Sequence, residues 1–256
     1  MSDSSADPTN EIEVIQSVSD LINLRTSIGY DCWFRGQSDS SFRLNPGAFR
    51  ASLARNSEMQ MIDEFKHNAY MRSEMQPADF WDWLVLAQHH GVPTRLLDWS
   101  ENPLQALFFA VSGPSSINVD AKLFVLRPSR LNRSALGASY SSPLVLKESN
   151  GDLDKYRPDR SAGLSALPIA VVAANDFYRI VAQHGVFTLH PTPSYDNELQ
   201  DDFGGCCSEY LIPKEFKDSI KRELEFVCID EVSSYPDLDY LGARIRNKHM
   251  TDAVRL

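Results

Sequence analysis

A polar stretch closed in by two apolar segments constrains this chain more than any other feature. Ala78 to Gln88 places Phe80, Trp83, Leu84 and Ala87 on one face of a predicted helix, and Leu104 to Val111 is almost wholly apolar, as a buried helix is. Between them runs Gln88-His89-His90-Gly91-Val92-Pro93-Thr94-Arg95-Leu96-Leu97-Asp98-Trp99-Ser100-Glu101-Asn102-Pro103. Pro93 and Pro103 hold Val92 and Asn102 extended, which predicts a constrained loop. A loop fixed by two packed helices presents Thr94, Arg95, Asp98, Ser100 and Asn102 in one geometry, which binding and catalysis both require.

The chain is long enough to bury one substantial core, with 256 residues of which 43% are hydrophobic, so a single domain is expected. It contains no apolar run of membrane-spanning length, and its first residues lack the basic start and apolar stretch of a signal peptide. These features predict a cytoplasmic protein without membrane partners. Cys32, Cys206, Cys207 and Cys228 lack metal-ligand spacing, so reduced thiols and no metal site are expected. A net charge of -10 argues against coating nucleic acid by bulk electrostatics, but leaves room for a local basic cleft.

Residues 1–10 read as a disordered N-terminus, followed by one domain over 11–250. Ile12 to Leu24 carries Ile15, Val18 and Ile22 at helical spacing until Gly29 ends the pattern. Asp31 to Phe34 reads as a short strand delivering Arg35 and Gly36 to its end, and Ser57 to Arg72 as a second helix. Beyond a strand at Lys122 to Arg127, the Ser-, Gly-, Pro- and Arg-rich stretch from Pro128 to Leu167 is too long for an ordinary connection, which predicts a mobile lid or a segment ordered by a partner. Strands are predicted at Ile169–Ala173, Tyr178–Ala182, Val186–Leu189, Tyr210–Ile212 and Phe226–Ile229, with helices opening at Pro213 and Pro236. The pattern favours an α+β fold with a helical first half on a mixed or antiparallel β-rich core.

Arg35, at a strand end before Gly36 and Gln37, offers a planar fork suited to phosphate or carboxylate; an internal pair with Asp98 is the competing reading. Ser100 and Asn102 are equally suited to capping the following helix, and Asp98 to orienting Arg95. His89 and His90 point about 100° apart on a helix and do not share one ion easily. In the segment Arg179 to Phe187, a strand puts Arg179 and Gln183 on one side, where Gln183 offers a neutral donor and acceptor to a sugar hydroxyl or base edge, or simply a structural hydrogen bond. Phe187 and Tyr178 either stack on a planar ring or fill the core.

Trp33-Phe34-Arg35-Gly36-Gln37, the His-Gly-Val-Pro-Thr-Arg-Leu-Leu-Asp-Trp run from His90 to Trp99, and the weaker Arg179 to Phe187 segment together resemble the FRG-domain family over roughly residues 28 to 245. The order of parts is also similar to the ADP-ribosyltransferases: an early arginine, a Ser/Thr-containing segment before an apolar Ala-Leu-Phe-Phe-Ala helix, and a late polar residue. That resemblance implies NAD as the substrate, with Arg35, Ser100 and Gln183 as catalytic residues. It implies a nucleotide site built from Arg35, Gly36, Gln37, Thr94, Arg95, Ser100, Asn102 and Phe187. Gln183 departs from the usual glutamate, and a glutamine supplies no charge to a developing ribose cation; Glu101 and Glu209 are the candidate replacements. The resemblance further implies a macromolecular acceptor, RNA or DNA, and a toxin restrained by an antitoxin or chaperone-like protein in an anti-phage setting. Two alternatives stand beside it: a non-catalytic anion-binding module using Arg35, Arg95 and Arg179, and a nuclease-like hydrolase using Asp98, His90 and Glu101.

Overall fold

The computed structural model describes residues 13–50, 57–71, 77–113, 118–159, 167–174, 185–192 and 203–235 and, near the C-terminus, 240–242, 244–246 and 249. The expected disordered N-terminus (1–10), Arg179, Gln183 and the expected strand Tyr178–Ala182 lie outside these residues.

Helix α1 (Val18–Ile28) begins where the Ser17 hydroxyl accepts from the Asp20 amide and ends at Gly29, whose φ of 81° few other residues adopt. It starts later than Ile12 because Ile15 pairs its amide with the Leu211 carbonyl, at 2.8 Å. Its buried face is then Val18 and Leu21, and Ile22 is exposed. β1 (Trp33–Gln37) runs through Arg35 instead of ending before it. Helices α2 (Ser57–Ala69) and α3 (Phe80–His89) follow; Asp79 starts α3 by accepting from the amides of Trp81 and Asp82.

The expected loop between the prolines is instead β2 (Leu96–Ser100), followed by α4 (Pro103–Val111) with Pro103 in its first turn. β3 (Ala121–Leu126), α5 (Pro128–Leu136), β4 (Leu144–Leu146), β5 (Ile169–Ala173), β6 (Gly185–Leu189), β7 (Cys207–Ile212), α6 (Lys217–Phe226) and the short α7 (Glu231–Ser234) complete the order. The sheet runs β4-β5-β6-β2-β1-β3-β7; β4 and β5 are parallel and the other pairs antiparallel. The described residues thus form one α+β domain on a seven-stranded mixed sheet.

Two expectations fail here. The stretch from Pro128 to Leu167 is no lid over its described part, residues 128–159 and 167: Leu131, Asn132, Leu153 and Tyr156 are fully buried. Asn132 takes the place of a neighbouring strand for β5, its amide donating to the Ala170 carbonyl (3.0 Å) and its oxygen accepting from the Ala170 amide (2.7 Å). A few anchors hold a polar segment that hydrophobic periodicity does not reveal. Phe226–Ile229 is not a strand either. α6 runs through Phe226 and closes in a turn in which the Ile229 amide donates to the Leu224 carbonyl, with Cys228 at a φ of 62°.

Cross-strand partners share a sheet face, so the registers sort the core. On one face, Phe34, Leu123, Val125, Tyr210 and Ile212 meet α1, α4 and α6. Farther along that face, Leu96, Val171, Phe187 and Leu189 meet α2 and α3. Trp33, Leu97, Trp99, Phe124, Leu126, Ala170 and Val186 form a third cluster, on the opposite face by the alternation of side chains along each strand. Gly36 lets α4 press onto β1: a Cβ there would stand 1.9 Å from the Ala106 carbonyl oxygen and 2.6 Å from the Ala110 nitrogen. Gly36 is therefore a packing residue as well as a lining one.

Arg95, expected at the nucleotide site, is only 2% exposed and holds four segments together. Its amide donates to Glu58 Oε1 (2.8 Å), its Nε and Nη2 to Glu58 Oε2 (2.8 and 2.6 Å), its Nη1 to the Tyr156 carbonyl and its Nη2 to Thr192 Oγ1 (3.3 Å). With four of its five donors engaged and its surface enclosed, the guanidinium faces its internal partners and not the pocket. Removing one partner strands the other charge away from water, so Glu58→Gln is expected to lower unfolding free energy by about 3–5 kcal/mol, read from urea denaturation. Gly36→Ala is expected to cost about 3 kcal/mol in the same assay, because the methyl group meets rigid helix backbone.

Candidate functional site

The two clusters on the α4 side of the sheet leave a gap over β2, and this gap is a pocket of about 380 Å³. Asp98, Ser100, Gly185 and Phe187 lie on its sheet side; Val85, Gln88 and His89 of α3 flank it, as do Ala106 and Phe109 of α4 with Tyr235. β2 is the fourth of seven strands, and the burial of its five residues is broken only at the middle one, Asp98, which is exposed. A charged, exposed side chain at the centre of a sheet marks where the helical layer opens.

Arg35 also lines the pocket. It leaves β1 on the face opposite Phe34, and its Nη1 donates to the Asp98 carbonyl, bridging strands whose ladder holds only the Phe34–Ser100 pair. Its buried Nε finds no hydrogen-bond partner among the described residues. Burial pulls the guanidinium below its ordinary pKa, opposed by the charge of Asp98 and reinforced by that of Arg50. An unmet buried donor costs about 1–3 kcal/mol, which an acceptor-bearing ligand recovers. The internal partner of Arg35 is thus the backbone of Asp98 and not its carboxylate.

Asp98 Oδ2 accepts from Gln88 Nε2 at 3.0 Å. The Thr94 hydroxyl donates to Gln88 Oε1 and accepts from the Leu96 amide, so Thr94 aims Gln88 while remaining fully buried itself. Ser100 Oγ accepts from the Asn102 amide (3.0 Å), and Asn102 Oδ1 from the Leu104 and Gln105 amides (3.0 and 3.4 Å), so Asn102 is the cap of α4. Gln37 is buried and donates to the Arg43 carbonyl at 3.2 Å.

Of the residues expected at the nucleotide site, Arg35, Gly36, Ser100 and Phe187 line the pocket; Gln37, Thr94, Arg95 and Asn102 do not. Gln183 is not described, although the chain enters β6 two positions later at Gly185, opposite Ser100. Glu209 is on β7, paired with Lys122 at 3.0 Å, and Glu101 is exposed outside the lining. His89, not His90, faces the pocket, and no group of three potential metal ligands occurs among the described residues. Sequence reasoning missed Gln88, Phe109 and Tyr235. The first stood where the apolar helix meets the polar stretch without being singled out, and Tyr235 carried no signal.

Behind Arg35, the Trp99 indole donates to Thr188 Oγ1 (3.0 Å), which contacts His190 Nε2 (3.0 Å). His190 is 6% exposed. Burial first, then the charges of Arg35 and Arg95, pushes its imidazole down to about 3.

The described residues form an α+β domain that opens an aromatic-walled, charged pocket at mid-sheet. Residues 30–118 match the FRG domain, and the chain carries that domain. The matched span contains β1, α2, α3, β2 and α4, hence both flanking helices, while Gly185, Phe187 and Tyr235 lie beyond it. Comparison with curated proteins and with solved structures returned no match. Among the described residues, no helix is long and apolar enough to cross a membrane.

The depressed pKa of His190 sets a pH dependence. The unfolded chain takes up the imidazole proton near pH 6.5, the folded one only near 3, so stability falls as pH drops through that window and is independent of this group above it. Between pH 7 and pH 5 this group is expected to remove about 2 kcal/mol. Urea unfolding at both pH values should show His190→Gln losing less than wild type by that amount.

Proposed function

We propose that the pocket binds NAD and transfers its ADP-ribose to a macromolecule. The observation that carries this reading is the meeting of Arg35 and Ser100, 65 positions apart in the sequence, at the Phe34–Ser100 pair of β1 and β2, with Gly185 of the third motif opposite Ser100 on β6. That juxtaposition agrees with the order of parts in the ADP-ribosyltransferases. The half-buried guanidinium with a spare donor suits a diphosphate, and Phe109, Phe187 and Tyr235 offer apolar surface to planar rings. The acceptor in this reading is RNA or DNA, and the protein is a cytoplasmic toxin restrained by an antitoxin or chaperone-like partner.

Labelled NAD incubated with the purified protein, alone and with RNA, DNA or protein acceptors, tests the reading. Nicotinamide release with label transfer supports it; tight reversible nucleotide binding without turnover favours an anion-binding module instead. Arg35→Ala is expected to lower turnover about 10²–10³-fold, as loss of an oriented charged donor does. Arg35→Lys is expected to recover little, since the charge survives and the fork does not. Both variants should remain folded, with Arg35→Ala melting lower for want of the bond to the Asp98 carbonyl; native-like turnover in either would remove Arg35 from the site.

A further inference from the structure

We infer that Asp98 is the catalytic carboxylate of this pocket, stabilising positive charge on the ribose and accepting the proton of the attacking acceptor. The inference rests on the NAD reading above. Departure of neutral nicotinamide takes the electron pair of the C1′–N bond with it and leaves a cationic ribose, which a nearby negative charge stabilises. Among the described residues lining the pocket, Asp98 is the one carboxylate. The replacements considered from sequence, Glu101 and Glu209, are outside that lining.

Three features fit Asp98 to the task. It is the exposed middle residue of the central strand, so its side chain stands in the pocket while its backbone is held by the sheet. One oxygen is oriented by Gln88 Nε2 at 3.0 Å, and Gln88 is itself held by the buried Thr94 hydroxyl. The Asp98 carbonyl accepts from Arg35, so the group that anchors the diphosphate and the carboxylate that faces the ribose are fastened to the same residue.

The step balances without a further reactant. The C1′–N bond breaks and nicotinamide leaves with the pair; a lone pair on an acceptor hydroxyl or amine forms the new bond to C1′. The acceptor proton passes to the Asp98 carboxylate and from there to solvent. Water in the acceptor's place gives free ADP-ribose by the same route.

The test compares wild type with Asp98→Asn, which keeps the shape and the backbone carbonyl but removes the charge. Nicotinamide release is read as kcat, NAD affinity by calorimetry and folding by thermal melting. Turnover reduced at least 100-fold, with NAD affinity within about threefold and an unchanged melt, is the expected result. Asp98→Ser replaces the variant if the asparagine protein melts early. Turnover within a few-fold of wild type in a folded variant overturns the role of Asp98 and leaves the NAD reading standing. A wild-type protein that neither binds nor consumes NAD overturns both.

Discussion

The buried ion pair of Arg95 with Glu58 ties the first residue before β2 to α2, to the carbonyl of Tyr156 and to Thr192 beyond β6. All three nitrogens of the guanidinium donate, which is the condition under which two charges tolerate burial. An apolar pair of the same volume would fill the space without specifying direction. The fork does specify it: α2 and the 151–156 turn approach β2 in one orientation, and β2 then enters the sheet at a fixed register against β6. Since β2 carries Asp98 and Ser100, the pocket's position follows from a contact that does not touch it.

The pocket itself comes from incomplete coverage. α4 lies close on β1 because Gly36 has no side chain, and α3 packs over the Leu96, Phe187 and Leu189 side of the sheet. Between those two contacts the helical layer does not close, and the central strand meets solvent at Asp98. Arg35 compensates for the short β1–β2 ladder by donating from its side chain to the Asp98 carbonyl. One residue thereby repairs the sheet and charges the site. His190, pushed to the neutral form by burial and by the neighbouring arginines, adds no second charge behind it.

Strong periodicity and caps made much of the fold legible. α3 and α4 were visible in apolar spacing and in Asn102-Pro103, β5 and β6 in their β-branched runs, and the end of α1 in Gly29. The central segment misled because two prolines and a dense set of polar residues signal a loop, whereas pairing with β6 and β1 made it a strand. Residues 128–159 misled for the opposite reason. Their few buried anchors, Leu131, Asn132, Leu153 and Tyr156, are too sparse to register as a pattern, yet each is fully enclosed.

Sequence alone determined that the chain builds an α+β domain, that it carries the FRG pattern, and that Arg35 and the Asp98–Ser100 stretch are where its unusual polar content lies, because these depend on local composition and spacing. Tertiary structure decided which of those polar groups remain available. Arg95, Thr94 and Asn102 are as polar as Arg35 and Asp98 and are consumed by partners up to 97 positions away in sequence, as in the Arg95–Thr192 bond. Whether a charged side chain faces a ligand or a buried neighbour depends on what the fold brings within hydrogen-bond distance. A local reading of spacing has no access to that distance.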